Sequence, residues 1–259
     1  MSESGIAEST DGTSLAWSRS GTGPTLVMID PILVDRALSP NNTLAEQLTS
    51  QFTVIRYDRR DKGDSTGNDA PTPDREVEDL QVVIDAAGNG PETIVYGFSS
   101  GGSLALYAAC QGVSMKCLIV MEPPSELAGT EEFIAEVEKL VGQGRNAEAV
   151  RRFFHYQGMP AEVVEQMAQF AEACAPYAHT ISNDLRIADK LTPDALSRIN
   201  TPTLAVVSKA SPPPFHGFVE RVAEHVTTSE SVELDGDWHG VSDELLARTI
   251  AEFVPCEPR

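Results

Sequence analysis

Hydrophobic residues along the chain form two kinds of pattern, and their alternation predicts the architecture. Short, uninterrupted apolar runs are typical of strands that are buried on both faces of a parallel sheet. Longer stretches with apolar residues at helical spacing lie between them. The predicted buried strands are TLVMID (25–30), FTVIRYD (52–58), ETIVYGF (92–98), KCLIVMEPP (116–124), TPTLAVVSK (201–209) and SVELDG (231–236).

The N-terminal residues predict a β-hairpin, because SGIAEST and TSLAWSRSG flank Asp11-Gly12, a dipeptide that favours tight hairpin turns. Strands that alternate with helices are typical of an α/β protein. We therefore predict a mostly parallel, twisted sheet with helices on both faces. The predicted helices of this layer cover residues 41–51, 74–87, 99–112, 215–226 and 243–254.

Residues 125–199 interrupt the alternation, because helical patterns follow one another there without a convincing strand. These patterns cover residues 130–142, 146–157 and 160–174. We interpret 125–199 as a helical cap, or lid, inserted into a core formed by 1–124 and 200–259.

Charge and composition limit the class of partner. The chain has 39 acidic and 19 basic residues among 259, a net charge of −20 at pH 7. Nucleic acids and anionic membranes attract basic patches, so this balance disfavours both as partners. We expect a small-molecule substrate that is neutral and partly apolar. The sequence leaves the oligomeric state open, a homodimer included.

Cysteine spacing and the N-terminus bear on cofactors and location. The cysteines form no CxxC pair and no metal-type spacing with a histidine, so no metal site is predicted. They are Cys110, Cys117, Cys174 and Cys256. MSESGIAEST has no apolar signal segment, and no run approaches the roughly 18 apolar residues of a membrane span. We expect a cytoplasmic protein.

The most informative motif is Gly97-Phe98-Ser99-Ser100-Gly101, a G-x-S-x-G between a predicted strand and a helix rich in small residues. A serine at a sharp strand-to-helix turn needs small neighbours, and Gly97, Gly101 and Gly102 provide them. The structural alternative is a glycine-rich turn with a serine that caps the helix.

In this motif and its context the chain resembles the α/β-hydrolase family, over nearly its whole length. The resemblance implies the α/β-hydrolase fold, with Ser99 as nucleophile and no metal or organic cofactor. It implies His239, in GDWHG after the last strand, as general base. This pairing suits the chemistry, because a serine hydroxyl becomes a good nucleophile only when a base takes its proton. An unperturbed imidazole, with a pKa of about 6.5, can do so at neutral pH.

The acid of the triad departs from the commoner family pattern, in which an aspartate follows the strand equivalent to TLAVVSK. Here residues 208–212 read SKASP and contain no carboxylate. The family's other position is the end of the strand after the nucleophile helix, where Glu122 stands. We predict that Glu122 orients His239 and stabilises its protonated form.

Three carboxylates of this region also have structural roles open to them. Asp235 and Asp237 precede His239 so closely that turn residues are the better interpretation of both. For Glu122 the structural alternative is an ion pair with Arg151 or Arg152 of the predicted cap.

The oxyanion hole departs from the family pattern as well, since Asp30-Pro31 replaces the usual His-Gly. The resemblance implies two backbone donors, one of them the N–H of Ser100. Pro31 has no N–H, so the second donor should be Ile32. A carboxylate at Asp30 would disfavour an oxyanion unless it points away or is hydrogen-bonded. Residues 58–65 resemble the family loop R-G-x-G-x-S and should shape the floor of the site through turns and ion pairs.

Together these features predict a serine hydrolase that cleaves carboxylic esters or lactones through an acyl-enzyme. Two other classes stay open: non-hydrolytic chemistry on the same fold (C–C cleavage, acyl transfer or cyclisation) and a ligand-binding pocket with vestigial catalysis. Apolar cap side chains are expected to bind substrate, although such residues at helical spacing also form ordinary core. They are Phe153, Phe154 and Met159, with Met167 and Phe170 as further candidates.

Overall fold

The computed structural model describes residues 3–68, 70–125 and 129–254. Its main sheet contains eight strands, and a separate pair of two-residue strands follows them. The strands are β1 (Glu3–Glu8), β2 (Ser14–Gly21), β3 (Thr25–Ile29), β4 (Thr53–Tyr57), β5 (Ile94–Phe98), β6 (Cys117–Met121), β7 (Thr203–Ser208), β8 (Ser229–Leu234), β9 (Gly236–Asp237) and β10 (Gly240–Val241). The order in the main sheet is β1-β2-β4-β3-β5-β6-β7-β8.

The main sheet is parallel except at its N-terminal hairpin, which pairs in antiparallel fashion. β1 pairs with β2, and β2 with β4, in antiparallel fashion, whereas the five pairs from β3–β4 to β7–β8 are parallel. Parallel strands place their carboxyl ends at one edge, and ligands of such sheets bind at that edge. Ser99 and Glu122 directly follow β5 and β6 there.

Helices cover both faces of the sheet, so the predicted class of a mostly parallel sheet between helices is confirmed. One apolar cluster lies between the sheet and α2, α3 and α10, and a second lies between the opposite face and α1 and α11. The helices are α1 (Asn42–Leu48), α2 (Pro73–Ala86), α3 (Ser100–Cys110), α4 (Glu131–Gly142), α5 (Asn146–Tyr156), α6 (Ala161–Gln166), α7 (Ala168–Cys174), α8 (Ile181–Asp189), α9 (Pro193–Leu196), α10 (Pro213–His225) and α11 (Asp243–Phe253). Short 3-10 helices cover Gly90–Glu92 and Ala175–Thr180.

Several predicted boundaries shift for identifiable reasons. The helix predicted over 160–174 is two helices, separated at Met167, whose ψ of 12° is far from the helical value. The last strand of the main sheet ends at Leu234, because Gly236–Asp237 pairs instead with Gly240–Val241. α10 begins at Pro213, since proline fits the first turn of a helix.

The segment between β6 and β7 is helical, and its buried side chains divide between two clusters. Those of α4, α5 and α7 pack together and against Leu33 and Val34 of the loop after β3. Ile187 of α8 and Leu196 of α9 belong instead to the apolar cluster between the sheet and α2, α3 and α10. The boundaries of the predicted cap, 125–199, remain predictions, and residues 126–128 lie outside the described residues.

Among the described helices, none combines the length and the hydropathy that crossing a membrane requires. In the same part of the chain, no three His, Cys, Asp or Glu side chains are grouped as metal ligands would be. Cys110, Cys117 and Cys174 are free thiols, and Cys256 lies outside the described residues.

Candidate active site

Ser99 occupies the tight turn between β5 and α3 that the G-x-S-x-G pattern predicts. Its backbone is left-handed, with φ 51° and ψ −126°, a conformation that costs free energy for a residue with a side chain. The neighbouring glycines make the turn feasible. A Cβ on Gly97 would lie 2.5 Å from the Gly101 carbonyl oxygen, and one on Gly101 would lie 2.3 Å from that of Ile29. The Ser99 N–H donates to the Met121 carbonyl at 2.9 Å, which ties the turn to β6.

Glu122 is fully buried directly after β6, and each of its carboxylate oxygens is hydrogen-bonded. Oε2 lies 2.5 Å from Nδ1 of His239. Oε1 accepts the Ser208 N–H at 2.8 Å and the Ser211 hydroxyl at 2.7 Å. Burial alone would raise the pKa of Glu122, but hydrogen bonds from His239, Ser208 and Ser211 outweigh it and lower the pKa. The carboxylate is therefore kept ionised.

His239 lies in the turn between β9 and β10, also in a left-handed conformation, with φ 51°. Its ring packs against those of Phe98 and Phe215, with centroid separations of 4.9 and 4.4 Å. Its backbone N–H donates to the Ser211 hydroxyl at 3.0 Å. The imidazole is thus held by two aromatic contacts and by a hydrogen bond at Nδ1.

The structure brings Glu122 and His239 together and separates Glu122 from Arg151 and Arg152, the two arginines of the predicted cap. Arg151 pairs with Glu172 at 3.4 Å and Arg152 with Glu136 at 2.6 Å, so neither takes the structural role that was the alternative.

The aspartates close to His239 in sequence do not contact its ring. Asp235 is largely exposed and pairs with Lys209 at 2.8 Å. Asp237 contributes a carbonyl oxygen, which accepts the Ser208 hydroxyl at 2.7 Å. Both therefore fit the interpretation as turn residues.

The end of β7 and the loop that follows it contribute two side chains that the sequence patterns did not single out, Ser208 and Ser211. Ser211 bridges Glu122 and the His239 backbone, and Ser208 joins the turn before His239. The signal was present in SKASP, because a segment without a carboxylate still offers two hydroxyl groups. The Ser211 hydroxyl supports the Glu122 carboxylate and the His239 backbone, and the Ser208 hydroxyl supports the turn before His239.

Asp30 is buried and bound by three polar side chains. Its carboxylate accepts the Ser39 hydroxyl, the Asn41 amide at 2.8 Å and the Arg56 guanidinium at 2.7 Å. Within the described residues, the backbone N–H groups of Ile32 and Ser100 donate to no protein acceptor. Both candidate oxyanion donors are therefore free, and the Asp30 charge is compensated.

A cavity of about 390 Å³ joins these elements. Its polar lining within the described residues comprises Ser99, Ser100, His239, Gln157 and Asp184. Apolar residues form the rest of its walls. From the core they include Pro31, Ile32, Phe98, Pro124, Phe215 and Trp238, and from the helices between β6 and β7 they include Phe153, Phe154, Met159, Phe170 and Leu185.

Of the residues predicted to bind substrate, Phe153, Phe154, Met159 and Phe170 line the cavity, and Met167 does not. Phe153 and Phe154 are also members of the cluster formed by the helices after β6, so they serve both core and cavity. Met167 packs against that cluster and is not part of the cavity lining. Trp238 lies at the rim with 41% of its surface exposed.

Comparison with solved structures shows extensive similarity. The chain is 33% identical to an alpha/beta hydrolase from Sphaerobacter thermophilus DSM 20745, with a TM-score of 0.89, covering 97% of this chain and 100% of that one. It is 16% identical to the enol-lactonase from Burkholderia xenovorans LB400 (TM-score 0.77, 96% and 99% covered). It is 22% identical to a thermophilic esterase from Thermogutta terrifontis (TM-score 0.75, 97% and 98%). The last two show a shared fold alone.

A comparison with curated proteins gave no match. The sequence model of the alpha/beta hydrolase family matches residues 33–252, most of the chain. The match extends from the loop after β3 to α11 and so includes Ser99, Glu122 and His239. Together with the Sphaerobacter structure, it establishes that the chain belongs to the alpha/beta hydrolase family.

Proposed function

We propose that this protein is a serine hydrolase that cleaves a carboxylic ester or a lactone through an acyl-enzyme intermediate. The observation that carries the proposal is the 2.5 Å contact between Glu122 and His239, beside a cavity that Ser99 also lines. A nucleophile, a base and a buried acid at the carboxyl edge of one sheet constitute a catalytic triad.

In the first step, Nε2 of His239 takes the proton of the Ser99 hydroxyl as its oxygen attacks the substrate carbonyl. Glu122 holds the proton on Nδ1, which leaves Nε2 free to act as base. The ionised, buried carboxylate then stabilises the imidazolium that forms. Because Glu122 keeps its charge through these steps, a single proton moves between Ser99 and His239.

The tetrahedral intermediate places negative charge on the former carbonyl oxygen. The free N–H groups of Ile32 and Ser100 are the proposed donors to that oxygen. When the intermediate collapses, the carbon–oxygen bond to the alcohol breaks and His239 returns its proton to the leaving oxygen. Water then attacks the acyl-enzyme by the same route and releases the acid. From a lactone, the product is a single hydroxy acid.

The cavity walls support a substrate that is neutral and partly apolar. Phe153, Phe154 and Met159 line the cavity on the side of the helices after β6, and an acyl or alcohol chain packed there would be removed from water. We propose that these helices act as the cap that closes over Ser99. The esterase and the enol-lactonase of the same fold bear names that correspond to the two proposed bond types.

A labelling experiment with a fluorophosphonate probe and a p-nitrophenyl butyrate assay tests the proposal. The wild type should react with the probe and release p-nitrophenol, and Ser99→Ala should lose both reactions while its circular dichroism is retained. Ser197→Ala, at an exposed serine, is the matched control and should behave as wild type.

The two alternative classes give different results in this experiment. Probe labelling without ester or lactone hydrolysis would favour non-hydrolytic chemistry on an activated serine. A folded wild type that neither labels nor hydrolyses would favour a ligand-binding protein.

A further inference from the structure

Three aromatic side chains lie beside the imidazole of His239 and also line the cavity. The ring centroids of Phe98, Phe215 and Trp238 are 4.9, 4.4 and 5.6 Å from that of His239. Phe215 and Trp238 are 6.1 Å apart, and their ring planes meet at 83°. Because these two planes are nearly perpendicular, we call the pair the aromatic corner.

Trp238 is the accessible member of the aromatic corner. It directly precedes His239 in the turn between β9 and β10, and 41% of its surface is exposed although the side chain is large and apolar. Among the described residues, Ile6 and Val163 are the other large hydrophobic side chains with such exposure, and neither lines the cavity. Trp238 therefore presents an apolar ring at the cavity rim, where a ligand can contact it directly.

The chemistry of the proposed triad indicates which part of a substrate meets these rings. The carbonyl oxygen approaches the N–H groups of Ile32 and Ser100, the proposed oxyanion donors. The leaving oxygen must come within hydrogen-bond reach of Nε2 of His239, because that nitrogen returns the proton to it. The alcohol portion of the substrate therefore begins beside the His239 ring, next to the aromatic corner.

The acyl portion needs a separate part of the cavity, since both portions are bound at once. The helices after β6 contribute Phe153, Phe154 and Met159 to the wall there. The acyl group stays bonded to Ser99 after the first step, whereas the alcohol has to leave before water attacks. A position for the alcohol at the exposed rim, beside Trp238, suits this order of events.

We infer that the aromatic corner binds the alcohol portion of the substrate and selects esters in which this portion carries an uncharged aromatic ring. The inference rests on the proposed function and specifies its substrate class. A planar ring can stack on one wall of the corner and direct its edge at the other. Such ring contacts stabilise a complex beyond what the buried area contributes. An aliphatic ring of the same size buries a similar apolar area but has no π face.

The charges near the cavity favour a neutral ring over a charged one. Within the described residues no lysine or arginine lines the cavity, so an anionic alcohol portion would find no counter-charge there. Asp184 of the lining is buried and paired with Arg59 at 2.8 Å. The buried ammonium group of Lys62, which has no hydrogen-bond partner among the described residues, adds positive charge to the same cluster. A cationic alcohol portion would therefore gain little from Asp184.

Three esters test the inference: benzyl butyrate, cyclohexylmethyl butyrate and propyl phenylacetate. The first two differ in whether the ring of the alcohol portion is aromatic, and both release an unactivated primary alcohol. Propyl phenylacetate is an isomer of benzyl butyrate that carries its ring on the acyl side. In the wild type, kcat/KM should be about tenfold higher for benzyl than for cyclohexylmethyl butyrate, the equivalent of about 1.4 kcal/mol from the ring contacts.

Trp238→Leu supplies the critical variant, because it keeps an apolar side chain and removes one ring of the corner. The tenfold ratio should fall to about threefold, while the ratio of propyl phenylacetate to cyclohexylmethyl butyrate should not change. Trp238→Phe keeps a ring and should stay close to the wild-type ratio. Phe218→Leu is the matched control, since Phe218 contacts Phe215 edge-to-face at 6.0 Å but does not line the cavity. It should also keep the wild-type ratio.

Each ratio is measured within one variant, so a loss of folded protein does not change it. Equal kcat/KM for benzyl and cyclohexylmethyl butyrate in the wild type would overturn the inference, and so would an unchanged ratio in Trp238→Leu. A higher kcat/KM for butyrylcholine than for benzyl butyrate would overturn it as well, because the rings would then bind a cation. Failure of the proposed function is distinct, because none of these esters would then be hydrolysed and the fluorophosphonate probe would not label the protein.

Discussion

The Glu122 carboxylate reaches the His239 imidazole across an intervening strand. Glu122 follows β6, His239 follows β8, and β7 lies between them, yet Oε2 and Nδ1 are 2.5 Å apart. The loop after β7 takes part with hydroxyl groups, since Ser211 contacts both Glu122 and His239. Glu122 thus follows β6, a neighbour of β7, and the loop after β7 supports its carboxylate through Ser211.

Glu122→Gln should lower kcat for p-nitrophenyl butyrate by about 10³- to 10⁴-fold, because an amide neither stabilises the imidazolium nor fixes its tautomer. The fold should be retained, as the amide has a similar shape. Asp237→Asn is the control and should stay within a factor of about three of wild type, since the Asp237 side chain is exposed. Steady-state kinetics on both variants, with circular dichroism, check this. A Glu122→Gln enzyme of nearly native turnover would disprove the role.

Ser211→Ala should lower kcat by about tenfold, the value of one hydrogen bond of about 1 to 2 kcal/mol. The Ser211 hydrogen bond is one of those that lower the pKa of Glu122. Its loss raises that pKa, so the pH below which protonation of Glu122 inactivates the enzyme should be higher in Ser211→Ala than in wild type. Ser211→Thr, which keeps the hydroxyl, is the control. Equal losses in both variants would indicate a steric effect rather than a lost hydrogen bond.

Met159→Ala should shift the preference towards longer acyl chains, because Met159 lines the cavity and its truncation enlarges the space. Rates on a small acetate ester should change less than rates on octanoate. Met167→Ala removes the same atoms from a residue that does not line the cavity, so its effect should be equal on all chain lengths. The ratio of kcat/KM for octanoate to acetate measures the difference, and a similar ratio in both variants contradicts the prediction.

Lys62→Met should stabilise the protein at pH 7 by about 1 to 3 kcal/mol, because a buried charge without a hydrogen bond is replaced by an apolar side chain. Lys62 is 1% exposed, and burial, with the nearby Arg59 charge, lowers its pKa to about 8. Unfolding in urea at several pH values measures the effect.

The pH dependence gives Lys62 a second test. Between pH 8 and 10.5 the unfolded chain binds more protons at this lysine than the folded protein does, so the wild type gains stability as pH rises. The advantage of Lys62→Met should therefore be fully present below pH 8 and shrink above it. Lys190→Met, nearer the protein surface, should show neither effect. A destabilised Lys62→Met at pH 7 would mean that the ammonium group is paired.

Local patterns were sufficient to predict the sheet and the elbow. The buried strands are uninterrupted apolar runs, and Gly97 and Gly101 leave no room for a side chain, so the sequence there has few alternatives. Strand ends that depend on pairing with another strand were harder to predict from the sequence. The end of β8 at Leu234 follows from the pairing of β9 with β10, which no single run of residues indicates.

Long-range polar partners were the least predictable part of the site. Asp184 and Arg59 are 125 positions apart in sequence, and Ser211 and Glu122 are 89 apart. A carboxylate on a helix ordinarily predicts a solvated face, but α8 packs on α3 and other helices, and Asp184 is buried against Arg59. The position of Glu122 was predictable because the end of a strand has a defined place in a parallel sheet, whereas the partners of a helical side chain depend on tertiary packing.

The position of Trp238 gives this protein a built-in optical reporter. The chain has two tryptophans, and Trp17 lies on β2, away from the cavity, whereas Trp238 forms part of the rim beside His239. Indole emission depends on local polarity and on quenching groups nearby. A Trp17→Phe protein would therefore emit from the cavity entrance alone. Ligand entry and departure could then be followed in real time without a chromogenic leaving group.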